Sequence, residues 1–192
     1  MESLSRVVLW RSVDGNSMDH VGLWRTAKGY LLKGVVVGML EDSQPILAKY
    51  EVYCDDHWRT ERVEVERQIG KDSKHSSLAV EGAGLWRDHT GSLLSLSECI
   101  DVDLEITPAT NTLPIRRMKL EIGDSRQVTA AWVRTLDLSV QPLSQIYTRI
   151  DDRRYRYESS TGFSAEITVD DLGLVVTYPD GWERVTQLRP GD

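Results

Sequence analysis

The stretch that decides the fold runs from Tyr50 to Glu66. In Tyr50-Glu51-Val52-Tyr53-Cys54-Asp55, the residues Tyr50, Val52 and Cys54 alternate with Glu51, Tyr53 and Asp55. Beyond a polar turn at Asp56 and His57, Arg62, Glu64 and Glu66 alternate with Val63 and Val65. A period of two sends alternate side chains to opposite faces, so both segments read as half-buried strands. The pattern recurs in Ile100, Val102, Leu104 and Ile106 against Asp101, Asp103 and Glu105, and in Met118, Leu120 and Ile122 against Lys119 and Glu121. It returns in Phe163, Ala165, Ile167 and Val169 and, past Asp170-Asp171 and Gly173, in Leu174, Val176 and Tyr178. His89-Thr90-Gly91, Gly123-Asp124-Ser125, Asp180-Gly181 and Ala27-Lys28-Gly29 supply turn chemistry between strands.

Helical signal is thin. Ser92 to Glu98 admits a short turn. Val140 to Ile150 admits a helix, with Pro142 in its first turn and Leu143, Ile146 and Ile150 on one face, or else an irregular crossing over an open sheet end. The chain therefore reads as mainly β, with roughly ten strand segments. Such a sheet can close into a barrel, split into a sandwich, or curl around a short helical plug.

Working outward to the whole chain, 192 residues without a Pro-, Gly- or Ser-rich linker predict a single domain over residues 1–192. The net charge of −7 argues against nonspecific nucleic-acid binding. Met1 to Trp10 lacks the features of an export signal, and Gly34 to Leu40 is too short to span a bilayer. These features, with only Cys54 and Cys99 as thiols, predict a cytoplasmic protein with reduced cysteines and no integral membrane association. Phosphate-loop, dinucleotide-turn and nucleophile-elbow motifs are absent, and His20, His57, His75 and His89 are scattered. No catalytic residue, cofactor or metal site is expected. Cys54 reads as a packed core thiol.

Three constellations carry candidate chemistry. Asp101 and Asp103, at i and i+2, share one face of a strand about 6 to 7 Å apart. They suit a solvated face or arginine anchor, a general acid/base pair, or oxygen ligands for a divalent ion. Asn111-Thr112-Leu113-Pro114-Ile115-Arg116-Arg117 reads as a turn followed by extended chain, since Pro114 disfavours helical geometry at Leu113. There Arg116 and Arg117 would point to opposite sides, one of them pairing with Asp101 or Asp103 or holding an anionic head group. Tyr147-Thr148-Arg149 and Arg154-Tyr155-Arg156-Tyr157 place Tyr155 and Tyr157 on the inner face and the arginines outside, against a nucleic-acid surface. The acidic pair is expected to meet one or more of Arg116, Arg117, Arg134, Arg149, Arg154 and Arg156. The six tryptophans suit core packing first and a pocket rim second.

Tyr50 to Asp55 with Trp58-Arg59-Thr60, Cys99 to Leu104, and above all Thr107-Pro108-Ala109-Thr110-Asn111-Thr112-Leu113-Pro114-Ile115-Arg116-Arg117 resemble the bacterial family described as putative glycolipid-binding. Tyr147-Thr148-Arg149, Arg154 to Glu158 and Gly173 to Pro179 resemble it too, so nearly the full chain is covered. The resemblance implies a strongly curved antiparallel sheet forming an incomplete barrel with few short helices, related in shape to bacterial lipoprotein-carrier domains. It also implies noncovalent binding of an amphipathic glycolipid or fatty-acid-like ligand in the concavity. On that reading Asp101, Asp103, Asn111, Thr112, Arg116, Arg117, Tyr147 and Arg149 are the candidate ligand-binding residues. The alternatives are a small-molecule hydrolase or isomerase using Asp101 and Asp103 with Tyr147 or Arg149, and a structural or interaction domain without a ligand. Oligomeric state is not legible.

Overall fold

The alternation from Tyr50 to Glu66 becomes a hairpin. In a computed structural model describing residues 2–40, 42–82 and 84–188, β4 (Pro45–Asp55) and β5 (Thr60–Ile69) pair antiparallel, with Val52, Cys54, Val63 and Val65 all buried. Before them come β1 (Ser3–Ser12), β2 (Ser17–Arg25) and β3 (Gly29–Met39). After them come β6 (Asp72–Glu81), β7 (Leu85–Asp88), β8 (Gly91–Ser92) and β9 (Asp101–Leu104). A helix, α1 (Thr112–Met118), precedes β10 (Ser125–Val133), β11 (Val140–Arg149), β12 (Arg154–Ser159), β13 (Ser164–Val169), β14 (Val175–Tyr178) and β15 (Trp182–Leu188).

Among the described residues these strands form one sheet, in the order β8-β7-β6-β5-β4-β3-β2-β1-β15-β14-β13-β12-β11-β10-β9. The first and last strands pair in its middle, and every pairing is antiparallel except β9 on β10. A parallel pair needs a crossover, and residues 105–124, with α1 inside them, supply it. The sheet curls without closing into a barrel. Its β9 edge returns against β5, where Thr60 donates its N–H to the Ile100 carbonyl at 3.3 Å and Val102 donates its N–H to Thr60 Oγ1 at 3.1 Å.

The crossover fills the concavity. Ala109, Leu113, Ile115 and Met118 join one apolar cluster with sheet residues that include Trp10, Leu23, Val52, Trp86 and Ile167. Cys54 and Cys99 are buried free thiols, and burial raises the Cys54 pKa well above its ordinary value.

Three local expectations are corrected. Val140 to Ile150 contains β11 in place of a helix, because Leu143, Gln145 and Tyr147 alternate into the interior while β10 pairs along the whole strand. Pairing with β12 covers only Gln145 to Arg149, so Pro142 removes no donor from that ladder. Met118, Leu120 and Ile122 do not form a strand. Residues 112–118 are helical, since Pro114 lies in the first turn, where a backbone N–H has no intrahelical acceptor. Arg116 and Arg117 therefore splay as helix neighbours, not to opposite strand faces.

A buried polar ring fastens the crossover to the sheet. Asp19 of β2, Tyr50 of β4 and Thr107 are all almost inaccessible. Tyr50 Oη lies 2.9 and 3.2 Å from the Asp19 oxygens and 3.1 Å from Thr107 Oγ1, which lies 2.5 Å from Asp19 Oδ2. A neutral Asp19 supplies the third hydrogen that closes this ring. An ionised one leaves the Tyr50–Thr107 contact without a proton, because both hydroxyls donate to the carboxylate. Tyr50 reaches the ring by crossing Gly34, where a Cβ would lie 2.3 Å from its ring. Burial pushes the Asp19 pKa from 3.8 up to about 7, against the hydrogen bonds from Thr107 and Tyr50.

The sign follows from linkage. Between pH 3.8 and about 7 the unfolded chain ionises Asp19 while the folded chain keeps it neutral, so its contribution to stability falls as pH rises through that window. D19N removes this dependence. The melting temperature of D19N minus that of the parent is expected to grow between pH 4 and about 7 and to level off above that, and a pH-independent gap in thermal melts contradicts the assignment.

Candidate functional site

The crossover and β11 position most of the sequence-predicted site residues. Asp101 is buried and receives a two-pronged contact from Arg117, Nε to Oδ1 at 3.0 Å and Nη2 to Oδ2 at 2.6 Å. Burial raises its pKa and Arg117 opposes the rise. This is the arginine anchor; the solvated-face reading is excluded for Asp101. Asp103 is half-buried. It accepts from Gln145 Nε2 at 2.5 Å and from Thr110 Oγ1 at 3.5 Å, and burial lifts its pKa to about 6 against both bonds.

Asn111 donates Nδ2 to the Pro108 carbonyl at 3.2 Å and accepts from Tyr147 Oη at 2.9 Å. Tyr147 is thus a buried support behind Asn111, and its ring leans on Tyr157 at 5.2 Å. Thr112 donates to the Gly173 carbonyl at 3.1 Å and is fully buried. Arg149 donates to the carbonyls of Leu120, Asp151 and Asp152 at 2.8, 3.1 and 3.3 Å, tying the turn after β11 to the end of the crossover.

Two open clefts divide these residues. The first, of about 340 Å³, has Asp103 and Asn111 in its lining with Trp132, Phe163, Tyr178 and Trp182. Phe163 and Tyr178 stack at 5.9 Å and 5°, and Tyr157 tilts against both. The second, of about 580 Å³, is lined by Arg116 and Arg149. Asp101, Thr112, Arg117 and Tyr147 line neither and act as internal fastenings. The two carboxylates are therefore not presented together to one substrate.

Sequence reasoning did not assemble the aromatic wall. Trp132 and Trp182 carried the pocket-rim alternative, but Phe163 and Tyr178 read only as inward strand positions. Gln145 gave no signal, since its segment allowed a helix. Among the described residues Asp55, Asp56 and His57 also cluster closely, on an exposed turn where Asp55 already caps the His57 and Arg59 amides.

An open, curled sheet with an internal crossover and an aromatic cleft at its mouth defines the structural class, a mainly β fold not closed into a barrel. Within it, the chain belongs to the Putative glycolipid-binding family, which matches residues 7–184. A solved DUF1089 family protein from Pseudomonas aeruginosa is similar in fold, with a TM-score of 0.80 and 27% identity over 88% of this chain and 92% of that one. A comparison with curated proteins finds no match. No described helix is long and apolar enough to cross a membrane.

R117M strips the buried Asp101 of its counter-charge and is expected to cost about 3–5 kcal/mol of unfolding free energy. The double variant D101N/R117M recovers much of that loss, because no buried charge is left unpaired. Urea denaturation checks both; a loss below about 1 kcal/mol in R117M contradicts the fastening role.

Proposed function

We propose that this protein binds a glycolipid-like amphiphile, with a sugar ring held in the aromatic cleft. The observation that carries this is the meeting of five aromatic side chains with three carboxylates and one carboxamide in a single opening. Sugar rings present C–H faces that pack on aromatic rings, and their hydroxyls donate to carboxylate and amide oxygens. Asp103 and Asn111 are the proposed head-group residues, each oriented from behind by Gln145 or Tyr147. Asp101, Thr112, Arg117 and Tyr147 serve the site by holding β9 and α1 in place. The family membership supports the same ligand class.

The packed concavity bears on where an acyl chain lies. With Leu113, Ile115 and Met118 inside the sheet, the chain is proposed to run along the cleft rim beside the exposed Phe163. Each CH₂ it buries contributes about 0.8 kcal/mol. The hydrolase or isomerase reading retains one group, Asp103, whose pKa of about 6 suits proton transfer, while Asp101 is engaged by Arg117.

Native mass spectrometry after gentle purification, followed by tryptophan quenching titrations with short-chain glycolipids and fatty acids, tests the proposal. The expected result is a defined mass increment and saturable quenching that F163A and D103A each weaken about tenfold, or about 1.4 kcal/mol. No increment together with no saturable quenching contradicts it.

A further inference from the structure

The second cleft lies at the C-terminal end of α1, away from Asn111 at its start, and the sugar reading makes no use of it. Arg116, Lys119, Arg149 and Arg153 line it. Among the described residues, Arg116, Lys119 and Arg153 form no ion pair, and Arg149 reaches only Asp152, at 3.9 Å. The carboxylates of the same cleft are committed elsewhere or open to water. Asp170 accepts from Arg6 at 3.2 Å and Arg184 at 2.8 Å, and Asp171 pairs with Arg6 at 3.2 Å. The Asp152 side chain is 90% exposed, and Glu121 is exposed.

Among the described residues, Arg116 is held in place by contacts that involve no carboxylate. Gly173, at φ +79°, leaves room for its stem; a Cβ there would lie 2.9 Å from Arg116 Cδ. Its guanidinium sits 5.6 Å over the Trp58 ring, and Nη1 makes a long contact of 3.4 Å to the Asp171 carbonyl. Among the described residues its Nε is buried without an acceptor, as are those of Arg6, Arg67 and Arg134. Lys119 adopts the left-handed conformation (φ 49°, ψ 46°) at the helix C-cap, where glycine is the usual occupant. That geometry fixes where its side chain leaves the backbone. With only seven residues, α1 is a short helix, and side chains outweigh its dipole in the cleft, where four cations meet Glu121, Asp152, Asp170 and Asp171.

We propose that this cleft is a binding site for a phosphate-class oxyanion, with Arg116 as the oriented fork and Lys119 and Arg153 as flanking charges. A tetrahedral, multiply charged oxyanion offers acceptors in several directions at once, which one carboxylate cannot do for three separated cations. The anion is either free phosphate or the phosphate of a lipid head group. The site stands independently of the sugar cleft.

Arginine side-chain ¹H–¹⁵N spectra read it directly. At constant ionic strength, added sodium phosphate is expected to shift the Arg116 Nε–Hε resonance saturably while the Arg184 resonance stays fixed. The double variant K119A/R153A, which alters two exposed side chains, weakens that binding about tenfold at an unchanged melting temperature. F163A, in the aromatic cleft, leaves it unchanged, so this site and the sugar reading succeed or fail separately. Sedimentation with phosphatidylcholine vesicles, with and without phosphatidic acid, then distinguishes the source. Retention only on phosphatidic acid, lost in K119A/R153A, assigns a lipid phosphate; no retention with the Arg116 shift intact assigns free phosphate. An unmoved Arg116 resonance, or phosphate binding equal in the parent and K119A/R153A, overturns the proposal.

Discussion

One long antiparallel sheet has an apolar face that must leave water, and among the described residues there is no second sheet to cover it. The chain meets that constraint with its one parallel pairing. Placing β9 beside β10 in parallel demands a crossover, and the crossover goes into the concavity with Ala109, Leu113, Ile115 and Met118 facing the sheet. The connection that the topology requires is thus also the core's inner layer. Curvature, the interior packing and the two clefts at either end of α1 all depend on that placement.

Inserting a polar-edged segment into a sheet brings carboxylates with it, and the three at this junction are treated differently. Asp19 is buried beside hydroxyls alone, where the neutral acid completes a ring with Tyr50 and Thr107. Asp101 is buried opposite a guanidinium and works as a charged fastening. Asp103 receives an amide donor from Gln145 but keeps one side toward the aromatic cleft. Only the last geometry leaves a carboxylate able to meet a ligand. Residue type and spacing are the same for Asp101 and Asp103; the partners brought by α1 and β11 separate their roles.

That difference marks what the sequence could reveal. Period-two alternation in β4, β5, β12 and β13 read correctly because each strand has one face against the core and one toward solvent, whereas β9 buries Asp101 on the face read as polar. The inward Tyr155 and Tyr157 and the outward Arg154 and Arg156 followed from the same rule. It failed where packing overrode local preference. Pro142 suggested a helix in a segment whose β12-side pairing begins only at Gln145, and Pro114 suggested extended chain in a segment where it sits in the first helical turn. The pairing of the acidic strand with an arginine of the 111–117 segment was legible from charge. The aromatic cleft was not, because Trp132, Phe163, Tyr178 and Trp182 come from three strands and a turn, and only the curl of the sheet brings them together. The Asp19 ring was equally hidden, joining residues 88 positions apart.

The concavity is filled, and binding is proposed to take place at its mouth. The six indole N–H resonances in a ¹H–¹⁵N spectrum report on both places at once. Trp10 and Trp86 are fully buried and donate to the Val175 and Cys99 carbonyls at 2.8 and 2.9 Å, whereas Trp132 and Trp182 line the aromatic cleft. On titration with a short-chain alkyl glycoside, the account predicts saturable shifts of Trp132 and Trp182 with Trp10 and Trp86 unmoved. Shifts of Trp10 and Trp86, showing a ligand that enters the concavity, would contradict it, as would a spectrum in which no indole responds.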